Sequence, residues 1–226
     1  MGSSIRTPDK KILMFLIMLP VFCLNIFSCS AKIPDNDEFK SIWNVMEAKM
    51  PRWIEFSRKR DPGFDISNFY LEKSAALKPI TEDSFTVYRS KELESIYSKY
   101  YYNYSPDSSK YLDIYSDTAE LSIENDTIKA WFQGDAAAIL IDLKNCKKSV
   151  FISCGTACGC DEAVWIDNDS FIVTGAITAH TPPYPFHTFI HYINLKEKIH
   201  KIYLSTRPLP RGSGGYYGIK FPKFVQ

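Results

Sequence analysis

The sequence predicts an α+β domain, mostly β, in which N-terminal helices precede two four-stranded antiparallel meanders. Three observations carry that expectation. The chain holds 14 Tyr and 15 Phe in 226 residues, an abundance of aromatics that fit pleated, half-buried surfaces. Apolar residues between Asp37 and Met50 recur at helical spacing. From Lys110 onward, short apolar runs alternate with polar turns, and the pattern returns after 52 residues.

The first helix is expected from Asp37. Phe39, Ile42, Trp43, Met46 and Met50 share one face, with the acids Asp37 and Glu38 at its start and Lys49 and Arg52 at its end, where they complement the helix dipole. Pro51 ends that helix or opens the next, which covers Trp53 to Arg58 before Asp61-Pro62-Gly63 turns the chain. Further on, Phe85 to Tyr88 reads as a strand, and Leu93, Ile96, Tyr97 and Tyr100 suit an amphipathic helix. Residues 37–104 therefore read as a helical N-terminal region.

Residues 105–208 read as a β domain of two units. In the second unit the expected strands are Ala163–Ile166, Phe171–Ile177, Thr188–Leu195 and Lys198–Leu204, joined in part by the turns Asp167-Asn168-Asp169-Ser170 and Lys196-Glu197. The first unit offers Lys110–Tyr115, a middle pair ending at Phe132, then Ala137–Leu143 and Ser149–Ile152. Leu112-Asp113-Ile114 aligns with Val164-Trp165-Ile166, Ile141-Asp142-Leu143-Lys144 with Ile193-Asn194-Leu195-Lys196, and Val150-Phe151-Ile152 with Ile202-Tyr203-Leu204. One offset serves all three without a gap. Ser105-Pro106-Asp107 resembles the turn that opens many β-propeller blades, and Ile141-Asp142-Leu143-Lys144 resembles the strand that closes them. The resemblance implies blade-like sheets. A closed propeller typically needs at least four blades, so two units imply an incomplete propeller or a sandwich. Residues 209–226, rich in Gly and Pro, read as a C-terminal tail.

The N-terminus carries an address. Arg6, Lys10 and Lys11 precede the apolar run Ile12–Phe27, whose sixteen residues span about 24 Å, short of the roughly 30 Å hydrocarbon core. A cleaved signal is therefore expected rather than a permanent span. Ile26-Phe27-Ser28-Cys29 resembles a bacterial lipobox, although Phe27 is bulkier than the usual occupant; cleavage after Ala31 would instead release the chain. The lipobox resemblance implies a signal peptide over residues 1–28, acyl chains on Cys29 and a tether over residues 29–36. Two or more acyl chains would hold the protein on a membrane of the cell envelope, with the outer membrane the expected one.

Charge narrows the partners. Removing Arg6, Asp9, Lys10 and Lys11 turns 27 basic against 26 acidic residues into 24 against 25, a net charge of −1. A near-neutral surface gives no electrostatic case for nucleic acid. The expected partners are the membrane, through the lipid, and another envelope protein or a glycan.

The densest constellation is Cys146, Cys154, Cys158 and Cys160, four cysteines within fifteen residues. In an oxidising envelope two disulfides are expected, with Cys146 and Cys154 each bridging to Cys158 or Cys160. The spacing matches no standard zinc knuckle, and the Cys-x-x-Cys pair of a redox centre is absent, so no metal or cofactor is expected. His187 and His191 would share a face on a helix. On a strand they stand about 13 Å apart, too far for one metal, and the four histidines read as ordinary sheet surface.

No recognisable catalytic set emerges, and the expected function is a noncatalytic binding or interaction module. Tyr97, Tyr100, Tyr101 and Tyr184 are the candidate binding residues, because tyrosine presents an apolar ring with a polar tip to a sugar or a protein. One alternative is an envelope hydrolase with a site near Cys160, Asp161, Glu162 and His180. Another is a membrane-tethered inhibitor or immunity-like protein.

Overall fold

A computed structural model of the chain describes residues 36–86, 90–125, 127–153, 155–179, 185–210 and 215–221. Cys29, Cys154, His180 and Tyr184 lie outside the described residues. Two helices come first, α1 (Asn36–Lys49) and α2 (Pro51–Arg60), where the helical periodicity places them. Phe39, Ile42, Trp43, Met46 and Met50 are all buried. Pro51 sits at the first turn of α2, where its missing N–H would have had no partner.

Strand β1 (Phe69–Ala76) and strand β2 (Thr81–Ser84) follow, then α3 (Lys91–Tyr100), capped by Ser90, whose hydroxyl accepts from the Leu93 N–H. Of the strand expected over Phe85–Tyr88, Phe85 and Thr86 follow β2 without joining a strand, and Val87 and Tyr88 lie outside the described residues. The next strands are β3 (Tyr102–Tyr104), β4 (Lys110–Asp113), β5 (Ala119–Glu124), β6 (Thr127–Phe132), β7 (Ala137–Asp142) and β8 (Lys147–Ser153). The second unit supplies β9 (Cys158–Trp165), β10 (Ser170–Thr178), β11 (Phe186–Asn194) and β12 (Ile199–Pro208), and α4 (Tyr216–Lys220) closes the described chain.

The second unit is the antiparallel meander that the sequence predicts, extended by β1 at one edge to give the order β1-β12-β11-β10-β9. The other large sheet runs β2-β8-β7-β4-β3. Here the expected meander is corrected: β5 and β6 pair only with each other, and β4 takes the place beside β7 that β10 holds beside β11. The hairpin leaves the sheet because α3 claims it. Tyr97, 1% exposed, accepts the Leu121 N–H through its hydroxyl at 2.8 Å. Residues 37–104 are thus no separate helical region, since they lend β1, β2 and β3 to the two sheets.

The two faces of the second sheet bury different cores, as period-two alternation requires. Phe171, Val173, Phe189 and Ile193 join Leu112 and Leu140, a register pair on one face of the other sheet, in a core between the sheets. Ile172, Ile190 and Tyr203 face the other way and pack with Phe39, Trp43, Met46 and Trp53 of the helices. The layers are therefore helices, sheet and sheet. The C-terminal segment is more than a tail, because Tyr216 and Tyr217 of α4 are buried.

Candidate functional site

A β-bulge organises the site. Along β9 the register against β10 shifts between Thr174 and Gly175, so that Glu162 pairs with Thr174, Cys160 pairs with Gly175, and Asp161 is the extra residue. Without the bulge, Asp161 and Glu162 would face opposite sides. With it, both acids turn toward helices while Cys160 and Ala163 remain in the core between the sheets.

Asp161 is the inner acid. Its Oδ2 accepts the Trp53 indole N–H at 3.2 Å and lies 4.0 Å from the Arg60 guanidinium, and its backbone carbonyl accepts the Tyr115 hydroxyl at 2.7 Å. Burial pushes its carboxyl up to about 6, against the opposing pull of Arg60 and Trp53. Arg60 is itself buried, which lowers the affinity of its guanidinium for a proton. Its charge lies 4.7 Å from the centre of the Phe56 ring.

Glu162 is the outer acid. It accepts the Tyr216 hydroxyl at 3.2 Å and a charge-assisted hydrogen bond from Lys220. Lys220 Nζ also stands 5.0 Å from the centre of the Tyr115 ring. Beside this ion pair lies a pocket of about 200 Å³ lined by Tyr100, Tyr101, Tyr102, Asn103, Tyr104, Ile114, Tyr115, Glu162, Ala163 and Lys220. A larger hollow of about 470 Å³ lies on α1 and α2, but its lining is Glu47, Pro51, Ile54, Glu55, Arg58 and Lys59, charges that pair with one another on an exposed surface. The tyrosine pocket is the better candidate.

Hydroxyl contacts fix its walls. Tyr101 bonds Tyr217 of α4, Tyr102 donates to Glu94 at 3.1 Å, and the Tyr104 hydroxyl lies 2.9 Å from Ser98 Oγ. Tyr102 stacks on Tyr111 at 4.1 Å. Asn103 donates from Nδ2 to the Ala163 carbonyl at 2.5 Å, and its own carbonyl accepts the Trp165 indole N–H at 2.8 Å, tying β3 to β9. Burial raises the hydroxyl pKa of Tyr101 and of Tyr115, so both keep their protons.

Of the candidate residues, Tyr100, Tyr101 and Glu162 come together at this pocket. Tyr97 does not; it is a buried strut between α3 and β5. Cys160 does not either, because the bulge leaves it in the inter-sheet core, and the proposed grouping of Cys160 with Glu162 is corrected accordingly. Asp161 is enclosed behind the wall. Sequence reasoning missed Lys220, Asn103 and Tyr115, and no local pattern in the chain marks a bulge or a returning C-terminal helix.

The cysteine expectation also changes. Cys146 and Cys160 are free, the first exposed and the second buried, so two bridges built from these four residues do not form. Cys146 sits in the β7–β8 turn at φ +50°. Cys158 is disulfide-bonded. No group of three or more His, Cys, Asp or Glu side chains suited to a metal exists among the described residues, and no helix there is long and apolar enough to cross a membrane. His191, expected on the surface, is buried and meets His200, whose Nε2 lies 2.9 Å from His191 Nδ1. Comparison with family models, with curated proteins and with solved structures returns no match.

Proposed function

We propose that the chain is a lipid-anchored protein of the bacterial cell envelope that captures another envelope component, noncatalytically, in its tyrosine pocket. The observation that carries the reading is the convergence of five tyrosines, from α3, β3 and the segment after β4, on one pocket closed by the Glu162–Lys220 pair. Rings held by hydroxyl contacts lose little freedom on binding, which suits recognition by a preformed surface. The lipobox-like Ile26-Phe27-Ser28-Cys29 supports the anchor, and a tether over residues 29–36, eight residues, would reach at most about 28 Å when fully extended.

Two measurements test the proposal. The mass of the full chain extracted from membranes is expected to show acyl chains on a protein beginning at Cys29, and Cys29→Ser is expected to leave the membrane fraction. Envelope material captured by the immobilised full chain is expected to be lost in Tyr100→Ala/Tyr104→Ala. An unmodified Cys29, or capture indifferent to both tyrosines, would overturn the anchor or the pocket respectively.

A further inference from the structure

We propose that the occupant of the tyrosine pocket is a single uncharged pyranose ring of an envelope glycan, an inference that rests on the binding reading above. Size comes first. Pockets for drug-sized ligands begin at about 300 Å³, and this one, at about 200 Å³, has room for one ring rather than for a run of peptide side chains.

Charge comes second. Among the described residues, Glu162 and Lys220 are the only charged side chains lining the pocket, and they satisfy each other, so these residues offer no surplus of either sign to a phosphate, a carboxylate or an amine. What remains is a mixture suited to hydroxyl groups. Lys220 has donors beyond the one given to Glu162. Asn103 has a side-chain carbonyl beyond the amide nitrogen committed to Ala163. Neutral hydroxyls both donate and accept, and can meet these groups without bringing a charge that would need its own partner.

Aromatic geometry comes third. Tyr104 is 38% exposed at the pocket, with its hydroxyl engaged by Ser98, and Tyr100 is half-buried beside it. The anchored ring of Tyr104, and that of Tyr100, whose centre lies 5.1 Å from Lys99 Nζ, are apolar surface of the kind that the axial C–H side of a sugar packs on, while Tyr101, Tyr102 and Tyr115 are buried. The ligand is therefore amphipathic, with one apolar face and a polar edge.

The test uses the full chain, purified in detergent, against a panel of tagged saccharides ending in neutral hexose, N-acetylhexosamine or deoxyhexose rings, with uronic-acid saccharides as the charged comparison. A neutral saccharide is expected to bind, with affinity falling roughly tenfold or more in Tyr104→Ala and persisting in Tyr104→Phe, which keeps the ring. Trp131→Ala, at an exposed ring outside the pocket, is expected to change nothing. Each variant's thermal melting is measured alongside, so that a loss of fold is separated from a loss of binding. Binding to the acidic saccharides alone would overturn the uncharged ring. Failure of every saccharide, with envelope protein still captured in a Tyr104-dependent way, would overturn the glycan and keep the pocket; failure of both would remove the binding reading itself.

Discussion

Trp53 and Asp161, 108 residues apart, are joined by an indole N–H donated to a carboxylate oxygen at 3.2 Å. The contact fastens α2 to the bulged edge strand behind the tyrosine wall. It also places an acid where water does not reach it.

Asp161 therefore makes stability depend on pH. Its carboxyl holds a proton up to about 6 in the folded chain, against an ordinary 3.8. Between those values the folded state binds the proton more tightly than the unfolded state, so its contribution is present at the acid end and lost as pH rises through the window. The difference amounts to about 3 kcal/mol at about 1.4 kcal/mol per pKa unit. Urea unfolding of the wild-type chain and of Asp161→Asn is expected to show a stability difference that moves against the wild type by roughly that amount between pH 4 and pH 7. A difference that stays constant over this range would mean that Asp161 is ionised throughout.

His191 and His200 work in the opposite direction. They face each other from β11 and β12, with Phe189 edge-on to the His191 ring, and burial holds them down to about 3 and about 4. Lys73, on the neighbouring β1, adds repulsion at His200. A neutral pair can share one hydrogen between the two nitrogens; a doubly protonated pair would oppose two donors. Because both folded values lie below the ordinary 6.5, the unfolded chain takes up protons first as pH falls, and stability present above pH 6.5 is lost toward pH 4. His191 alone is expected to cost about 1.4 kcal/mol per pH unit in this window. Thermal melting between pH 7 and pH 4.5 should fall steeply in the wild type and less steeply in His200→Gln; equal slopes would show that the pair is not the acid-sensitive element.

Much of this architecture is legible in the sequence, and the exceptions share a cause. Helix α1 is marked by its apolar spacing, and the strands of the second meander by alternation, since each pattern reports which residues a single element buries. What a pattern does not report is the partner. Strand β2 is Thr81-Glu82-Asp83-Ser84, exposed throughout, and exists because β8 offers it backbone hydrogen bonds. The β5–β6 hairpin reads correctly as a hairpin, yet nothing local says that Tyr97 will hold it out of the sheet. The bulge at Asp161 belongs to the register between two strands, and so the turning of both acids to one side is invisible until the pairing is known.

Gly175 is where that register tolerates no side chain. A Cβ at this position would lie 2.0 Å from the Gly159 carbonyl oxygen and 2.6 Å from Phe189 Cζ. The first neighbour is backbone on β9 and cannot swing aside. Gly175→Ala is therefore expected to force β9 and β10 apart beside the bulge, costing roughly 3 kcal/mol or more, a fall in melting temperature of about 6–12 °C for a domain of this size. Circular dichroism melts measure it, and an unchanged midpoint would show that the strands part there without cost.

The cysteines give the most direct chemical reading of the fold. Cys146 is a free thiol exposed in the β7–β8 turn, whereas Cys160 is buried between the sheets and its thiol is pushed up to about 12 by burial and by the neighbouring acid Asp161. Thiolate is the reactive form, so Cys160 is protected both by burial and by its raised pKa, whereas Cys146 is open to reagent. Brief treatment of the native full chain with iodoacetamide, followed by denaturation, a second isotopically distinct reagent and peptide mapping, is expected to place the first label on Cys146 and the second on Cys160. A peptide linking Cys146 to another cysteine by a disulfide would show instead that the hairpin turn is stapled. First label on Cys160 would mean that the two sheets open readily enough to admit solvent to the core beneath the bulge.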